Sequence, residues 1–188
     1  VKDISAKIRR TLSYKRERGE FIGSFAPYGY KIDPDDKHHL IVDEEAASVV
    51  KEIFEMYVQG NGYRKIVFEL NSRGILSPSA YKHNTGSNYV NCNADESNSK
   101  GLWTQSTIAR ILHNEMYTGT LVQGKSHHIS YKNKKRKRVA ENEWIKVPNA
   151  HEAIIDIDIW RQAQERLNSH TRVGKNSWEI SPLSGKVQ

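Results

Sequence analysis

Apolar residues recur at helical spacing in five stretches of this chain and at strand spacing in a few short ones. Ile4, Ile8 and Leu12 stand four apart and Gly19 closes the stretch, which predicts a helix over 2–18 with a thin apolar stripe. Ala46, Val49, Val50, Ile53, Phe54 and Tyr57 form a broad apolar face that ends at Gly60. Asp43 is the expected N-cap of that helix, with Glu44 and Glu45 at its positive end. A second helix is expected over 63–72, with Ile66, Val67 and Leu70 inward, and a third after Thr104, with Ile108, Ile111 and Leu112 inward. The last, capped by Asp156, carries Ile157, Trp160, Ala163 and Leu167. Residues 32–42 read as a β-hairpin turning through Asp33-Pro34-Asp35-Asp36. Residues 119–124 read as a strand, with 143–147 as its antiparallel return.

Three segments do not fit either period. Residues 19–30, GEFIGSFAPYGY, hold three Gly and one Pro, which exclude a helix, and Phe21, Phe25, Tyr28 and Tyr30, which are too dense for a bare tether. An extended, partly docked segment is expected. Of the 23 residues 79–101, 11 are Asn, Ser or Gly, which reads as a loop or insertion. Residues 169–188 are polar and read as a linker. The predicted class is α+β, mainly helical, with β-hairpins around a core in which helices 63–72 and 104–113 resemble a helix-turn-helix.

Charge changes this picture more than bulk composition does. The 188 residues carry a net charge of +7, unevenly spread. Residues 1–18 hold seven basic and two acidic residues, and residues 125–138 hold seven basic and no acidic ones. Those two segments carry +12, leaving −5 on the rest, a distribution that points to a polyanion, foremost nucleic acid. A solvated tail and loop is the plain alternative. No apolar run reaches membrane-spanning length, the charged start gives no expectation of a signal peptide, and a membrane partner is not expected. The single cysteine, Cys92, excludes an intramolecular disulfide and the usual cysteine-rich zinc site, and a reducing, cytoplasmic location is the simplest expectation.

Candidate chemistry is sparse. The outward positions of the helix at 104–113 are Gln105, Ser106, Ala109, Arg110 and His113; Gln suits adenine and Arg suits guanine at base edges, although a solvated helix face has the same pattern. Six of the seven residues 132–138, KNKKRKR, are basic, so Lys132, Lys134, Lys135, Arg136, Lys137 and Arg138 are expected on a hairpin arm along phosphates. A nuclear localisation signal has the same composition. The adjacent pairs His38-His39 and His127-His128 lack metal-ligand spacing, and neither a P-loop nor a GxSxG motif is present. His151-Glu152 is the one acid/base pair in sequence, and a structural role is its commoner meaning. No cofactor is expected.

GEFIGSFAPYGYKID (19–33), LIVDEEAASVVKEIFEMYVQG (40–60), YRKIVFELNSRGI (63–75), WTQSTIARILHNEMYTGTL (103–121), EWIKV (143–147) and HEAIIDIDIWRQAQERL (151–167), in this order, resemble the recombinase domain of large serine recombinases, of transposon resolvase and phage integrase type. The resemblance implies four parts: 1–18 as the end of a long helix from a catalytic domain, 19–30 as a linker, 31–168 as the DNA-binding domain, and 169–188 as a tether toward a zinc ribbon. The 79–101 segment is longer than the family's usual Pro-rich connection. The nucleophilic serine and its arginines would belong to the separate catalytic domain, so this chain is not expected to be an enzyme by itself, and further recombinase subunits would meet through other domains. The partner implied is a double-stranded DNA attachment site. Arg9, Arg10, Lys15, Arg16 and Arg18 would meet it beside the linker, Gly23 and Tyr28 would approach the duplex backbone or minor groove, Gln105, Ser106 and Arg110 would read bases, and the arm would hold phosphates. The rivals are an RNA-binding or protein-interaction module using the arm, and a metal-dependent nuclease using His151 and Glu152.

Overall fold

The computed structural model describes residues 2–86, 101–128 and 135–169. Helix α1 (Lys2–Glu17) leads through the extended segment into β1 (Tyr30–Ile32) and β2 (Leu40–Val42), followed by α2 (Glu44–Val58), α3 (Tyr63–Ser72) and the short α4 (Pro78–Asn84). After the undescribed 87–100 come α5 (Gln105–Leu112), a 3-10 turn (Glu115–Thr118), β3 (Leu121–Gln123), β4 (Ser126–His128), β5 (Arg136–Arg138), β6 (Ile145–Val147) and α6 (Ile157–Ser169). The class is α+β and mainly helical.

Helix α2 is the centre of the molecule because its apolar positions are broad enough to serve several neighbours. Ala46, Ala47, Val50, Ile53, Phe54 and Tyr57 are buried, and α3, α5 and α6 all pack on this helix. Its C-terminal carbonyls are taken up by Arg166 of α6. That guanidinium donates to the main-chain oxygens of Tyr57, Gly60 and Asn61 while lying over the Tyr57 ring. Asp43 stands at the N-cap position but makes no capping hydrogen bond; its carboxylate accepts instead from the Tyr81 hydroxyl at 3.0 Å. Thr104 does cap α5, accepting from Thr107 N at 3.3 Å, and Asp156 accepts from Asp158 N at 2.8 Å at the start of α6.

Among the described residues the strands form three separate antiparallel pairs, β1–β2, β3–β6 and β4–β5. Tyr30 pairs with Val42, Leu121 with Val147, and Ser126 with Arg138. One difference from the sequence expectation is instructive. Helix α4 starts one residue ahead of the segment 79–101 read as a loop and runs into it: Ser77-Pro78 places proline at a helix start, where its missing N–H costs nothing. The arm, expected on a hairpin, contributes strand β5, paired with β4 and with all three residues exposed. Lys132 and Lys134, and the linker 169–188 beyond its first residue, lie outside the described residues.

The segment 19–30 is docked along most of its length. The Gln123 side-chain amide accepts from Ile22 N and donates to Glu20 O, Phe21 N donates to His38 O, and Lys82 Nζ donates to Ala26 O. Phe21, Ala26, Tyr28 and Tyr30 are in the core, and Gly23, Ser24 and Phe25 stay exposed. Gly29 has φ +93° and packs between Ile154 and Val50, so glycine alone meets both the backbone and the space requirement there.

Candidate nucleic-acid interface

The helices expected to pair as a helix-turn-helix do pack on one another. Ile66 and Leu70 of α3 and Ile108, Ile111 and Leu112 of α5 are buried. Their connection is held by Trp103, 2% exposed, whose main-chain N–H and C=O bond the Asn71 side chain and whose indole N–H donates to Ile75 O at 2.9 Å. The long excursion between the helices therefore returns to a fixed point one residue before the α5 cap. Gln105, Ser106 and Arg110 lie on the exposed side of α5, while Ala109 is half-buried. His113, also exposed, donates through Nδ1 to the Ala109 carbonyl oxygen, 2.7 Å away.

The basic residues of α1 divide into two groups. Arg9 and Arg10 are exposed. Lys15 is engaged by its own chain, with Nζ 2.8 Å from His38 Nε2 and 3.4 Å from a Glu20 carboxylate oxygen. His38 in turn bonds Phe21 O through Nδ1, so Lys15 ties the helix end to the docked segment. Arg16 is half-buried, and Arg18 lies 3.7 Å from Glu20 and over the Tyr14 ring.

Of the two residues of the linker assigned a DNA contact from the sequence, Tyr28 has a different place in the structure and Gly23 is exposed. Tyr28 is 7% exposed, packs edge-on against Tyr81 and Trp103, and has its hydroxyl pKa raised by burial, so it is a core residue. Gly23 is exposed, but a Cβ there would stand 2.5 Å from Phe21 Cζ, so packing of the Phe21 ring already requires glycine. The pair His151-Glu152 is likewise no acid/base couple. His151 is buried, its Nε2 bonds Met116 O at 2.7 Å, and burial lowers its pKa, whereas Glu152 is exposed. Among the described residues no cluster of His, Cys, Asp or Glu is arranged to hold a metal, and no helix is long and apolar enough to cross a membrane.

Arg136, Lys137 and Arg138 form an exposed cationic strand, and Lys135 just before it is also exposed. The base of this ribbon is fixed by Lys125, counted in the sequence only as one of the seven basic residues of 125–138, and by Trp144. Lys125 Nζ lies 4.9 Å from the Trp144 ring centre, and Trp144 Nε1 donates to Val139 O at 3.0 Å. Burial lowers the Lys125 pKa. Tyr81 and Lys82 were also missed, since only tertiary contacts give α4 its place; the Ser77-Pro78 start was the available signal.

The described residues thus form a paired helical core with an exposed polar α5 face and a cationic ribbon. The chain belongs to the Recombinase family, whose profile matches residues 44–170. The uncharacterized protein YefB of Bacillus subtilis (strain 168) is 34% identical over 79 residues, which cover 42% of this chain and 26% of YefB. This chain thus spans about a quarter of that curated relative's length. Its fold is similar to that in a crystal structure of an LSR–DNA complex, LSR denoting large serine recombinase, with a TM-score of 0.51 and 16% identity over 90% of this chain and 38% of that one. A structure concerned with sequence requirements of the Listeria innocua prophage attP site gives a TM-score of 0.51 at 17% identity, covering 84% of this chain and 50% of its own.

Proposed function

We propose that this chain is the duplex-DNA-binding module of a site-specific serine recombinase, of transposon resolvase or phage integrase type, and that it positions a separate serine-nucleophile domain for strand exchange. The observation that supports this most directly is the division of α5. Ile108, Ile111 and Leu112 bury one side of the helix, and Gln105, Ser106 and Arg110 occupy the exposed side, in a member of the Recombinase family. A short helix seated this way on a partner helix can offer its polar side to a major groove. In this reading Arg9 and Arg10 of α1, Arg18 just after it, and the β4–β5 ribbon add phosphate contacts, which position the module without reading sequence. The attachment site is the partner, no cofactor is needed, and the phosphoserine chemistry belongs to the other domain.

The test is site preference. Gln105→Ala and Arg110→Ala should each relax base discrimination by about 1–3 kcal/mol at one position while changing non-specific affinity little. A binding selection from randomised duplexes measures this; unchanged preferred sites in both variants would show that α5 is not the reader. Preference for RNA over duplex DNA at equal salt would favour an RNA-binding module instead. The purified chain alone should leave DNA uncut, and site-dependent nicking by it would overturn the placement of the chemistry in another domain.

A further inference from the structure

We propose that the β4–β5 ribbon meets DNA through one face only, carried by Arg136 and Arg138, while Lys137 and His127 lie on the face turned back toward Trp144. This rests on the DNA-binding reading above. The ladder pairs Ser126 with Arg138, His127 with Lys137, and His128 with Arg136. Directly opposed residues share a face and successive residues alternate, so Arg136 and Arg138 point to one side and Lys137 and His127 to the other. The ladder continues one step toward the body through Val139 N donating to Lys125 O at 3.0 Å. Lys125 and Val139 therefore belong to the Lys137 face. Lys125 is the residue whose Nζ sits over the Trp144 ring, and Trp144 leads directly into β6, which is paired with β3 in the body of the domain. The Lys137 face is thus the inner one at the ribbon base, and the arginine face looks away from the domain.

Chemistry and geometry agree on that outer face. Both arginines are exposed, and side chains two residues apart on a strand stand about 7 Å apart and point the same way. A guanidinium presents a planar fork that binds phosphate oxygens in pairs, whereas a lysine ammonium acts as a point charge. A two-stranded ribbon has the dimensions to enter a major groove. The anchorage by Lys125 and Trp144 gives the ribbon a set direction relative to the domain, so its faces are not interchangeable by rotation.

Charge-matched substitutions separate a contact from general attraction. Arg136→Ser, Lys137→Ser and Arg138→Ser each remove one positive charge within three adjacent residues. Binding to a labelled mixed-sequence duplex, followed by fluorescence anisotropy across a salt series, should show each arginine variant losing about tenfold in affinity, as expected for one charge-assisted contact. Its log–log salt slope should become shallower by about 0.9. Lys137→Ser should lose about twofold, since it removes only long-range attraction. All three should melt with the parent chain, because the side chains are exposed. A loss for Lys137→Ser equal to or greater than that of the arginine variants overturns the face assignment, as does an arginine variant that melts early. A parent chain that shows no salt-dependent binding overturns the DNA reading itself.

Discussion

Replacing Tyr117 by alanine should lower the stability of this chain by about 3–5 kcal/mol, the range for removing a large aromatic side chain from a close-packed core. Tyr117 is 2% exposed and joins three parts of the molecule. Its ring stacks on Tyr30 of β1 at 6.1 Å and meets Phe54 of α2 edge-on at 6.1 Å. Its hydroxyl donates to the Tyr28 carbonyl at 2.9 Å, and its own carbonyl accepts from Ile154 N and Ile155 N. Burial raises the hydroxyl pKa, which favours the protonated form that donates. Tyr117→Phe keeps the ring and removes only that donor, leaving the Tyr28 carbonyl without it; the expected cost is roughly 1–3 kcal/mol. Urea unfolding with an unchanged m-value checks both numbers. Hydrogen exchange should quicken in 19–30 for Tyr117→Phe, since that bond reaches the docked segment. A Tyr117→Ala variant within about 0.5 kcal/mol of the parent would place the ring outside the core, the magnitude expected of surface changes.

This hub was only partly legible in the sequence. The helices α2, α3 and α5 were read within about two residues because each carries a wide apolar stripe with a polar residue or glycine at its ends. Helix α4 was not, because it buries no residue of its own and is held by Tyr81 on Asp43 and Lys82 on Ala26, contacts between residues 38 and 56 positions apart. The same contact explains why Asp43 occupies the cap position without capping: its carboxylate is committed to Tyr81. Tyr28 shows a different limit. A tyrosine in a Gly/Pro-rich segment packs equally well on its own core or on a partner, and sequence spacing does not separate the two; the wall made by Tyr81 and Trp103 does. On α1, Lys15 and Arg18 read as part of a basic face, yet the nearby Glu20 engages both, a contact made after the helix has ended and therefore invisible to helical periodicity. The exposed side of α5 was legible because eight residues with three buried at helical spacing leave little choice of orientation.

Affinity for duplex DNA should fall about a thousandfold when salt is raised from about 50 to about 200 mM. The candidate contacts on exposed, described positions are Arg9 and Arg10 on α1, Arg18 just after it, Arg110 on α5, and Lys135 and Arg136 to Arg138 on the ribbon. Arg110 is assigned to a base and Lys137 lies on the inner ribbon face, so about six of these eight are expected to displace counterions. At about 0.9 of a log unit per phosphate, six contacts give a log–log slope near −5. The protein's total charge of +7 cannot substitute for such contacts, because exposed charges farther than about 8–10 Å from a phosphate are largely screened at these salt concentrations. The slope therefore reports local engagement and not bulk attraction. Arg110 leaves the slope unchanged, since a base contact by its guanidinium releases no counterion from a phosphate. Fluorescence anisotropy with a labelled mixed-sequence duplex gives the slope directly. A value near zero would remove α1 and the ribbon from the interface together, whereas a value near −2 to −3 would retain one of them, and the charge-matched ribbon variants would tell which.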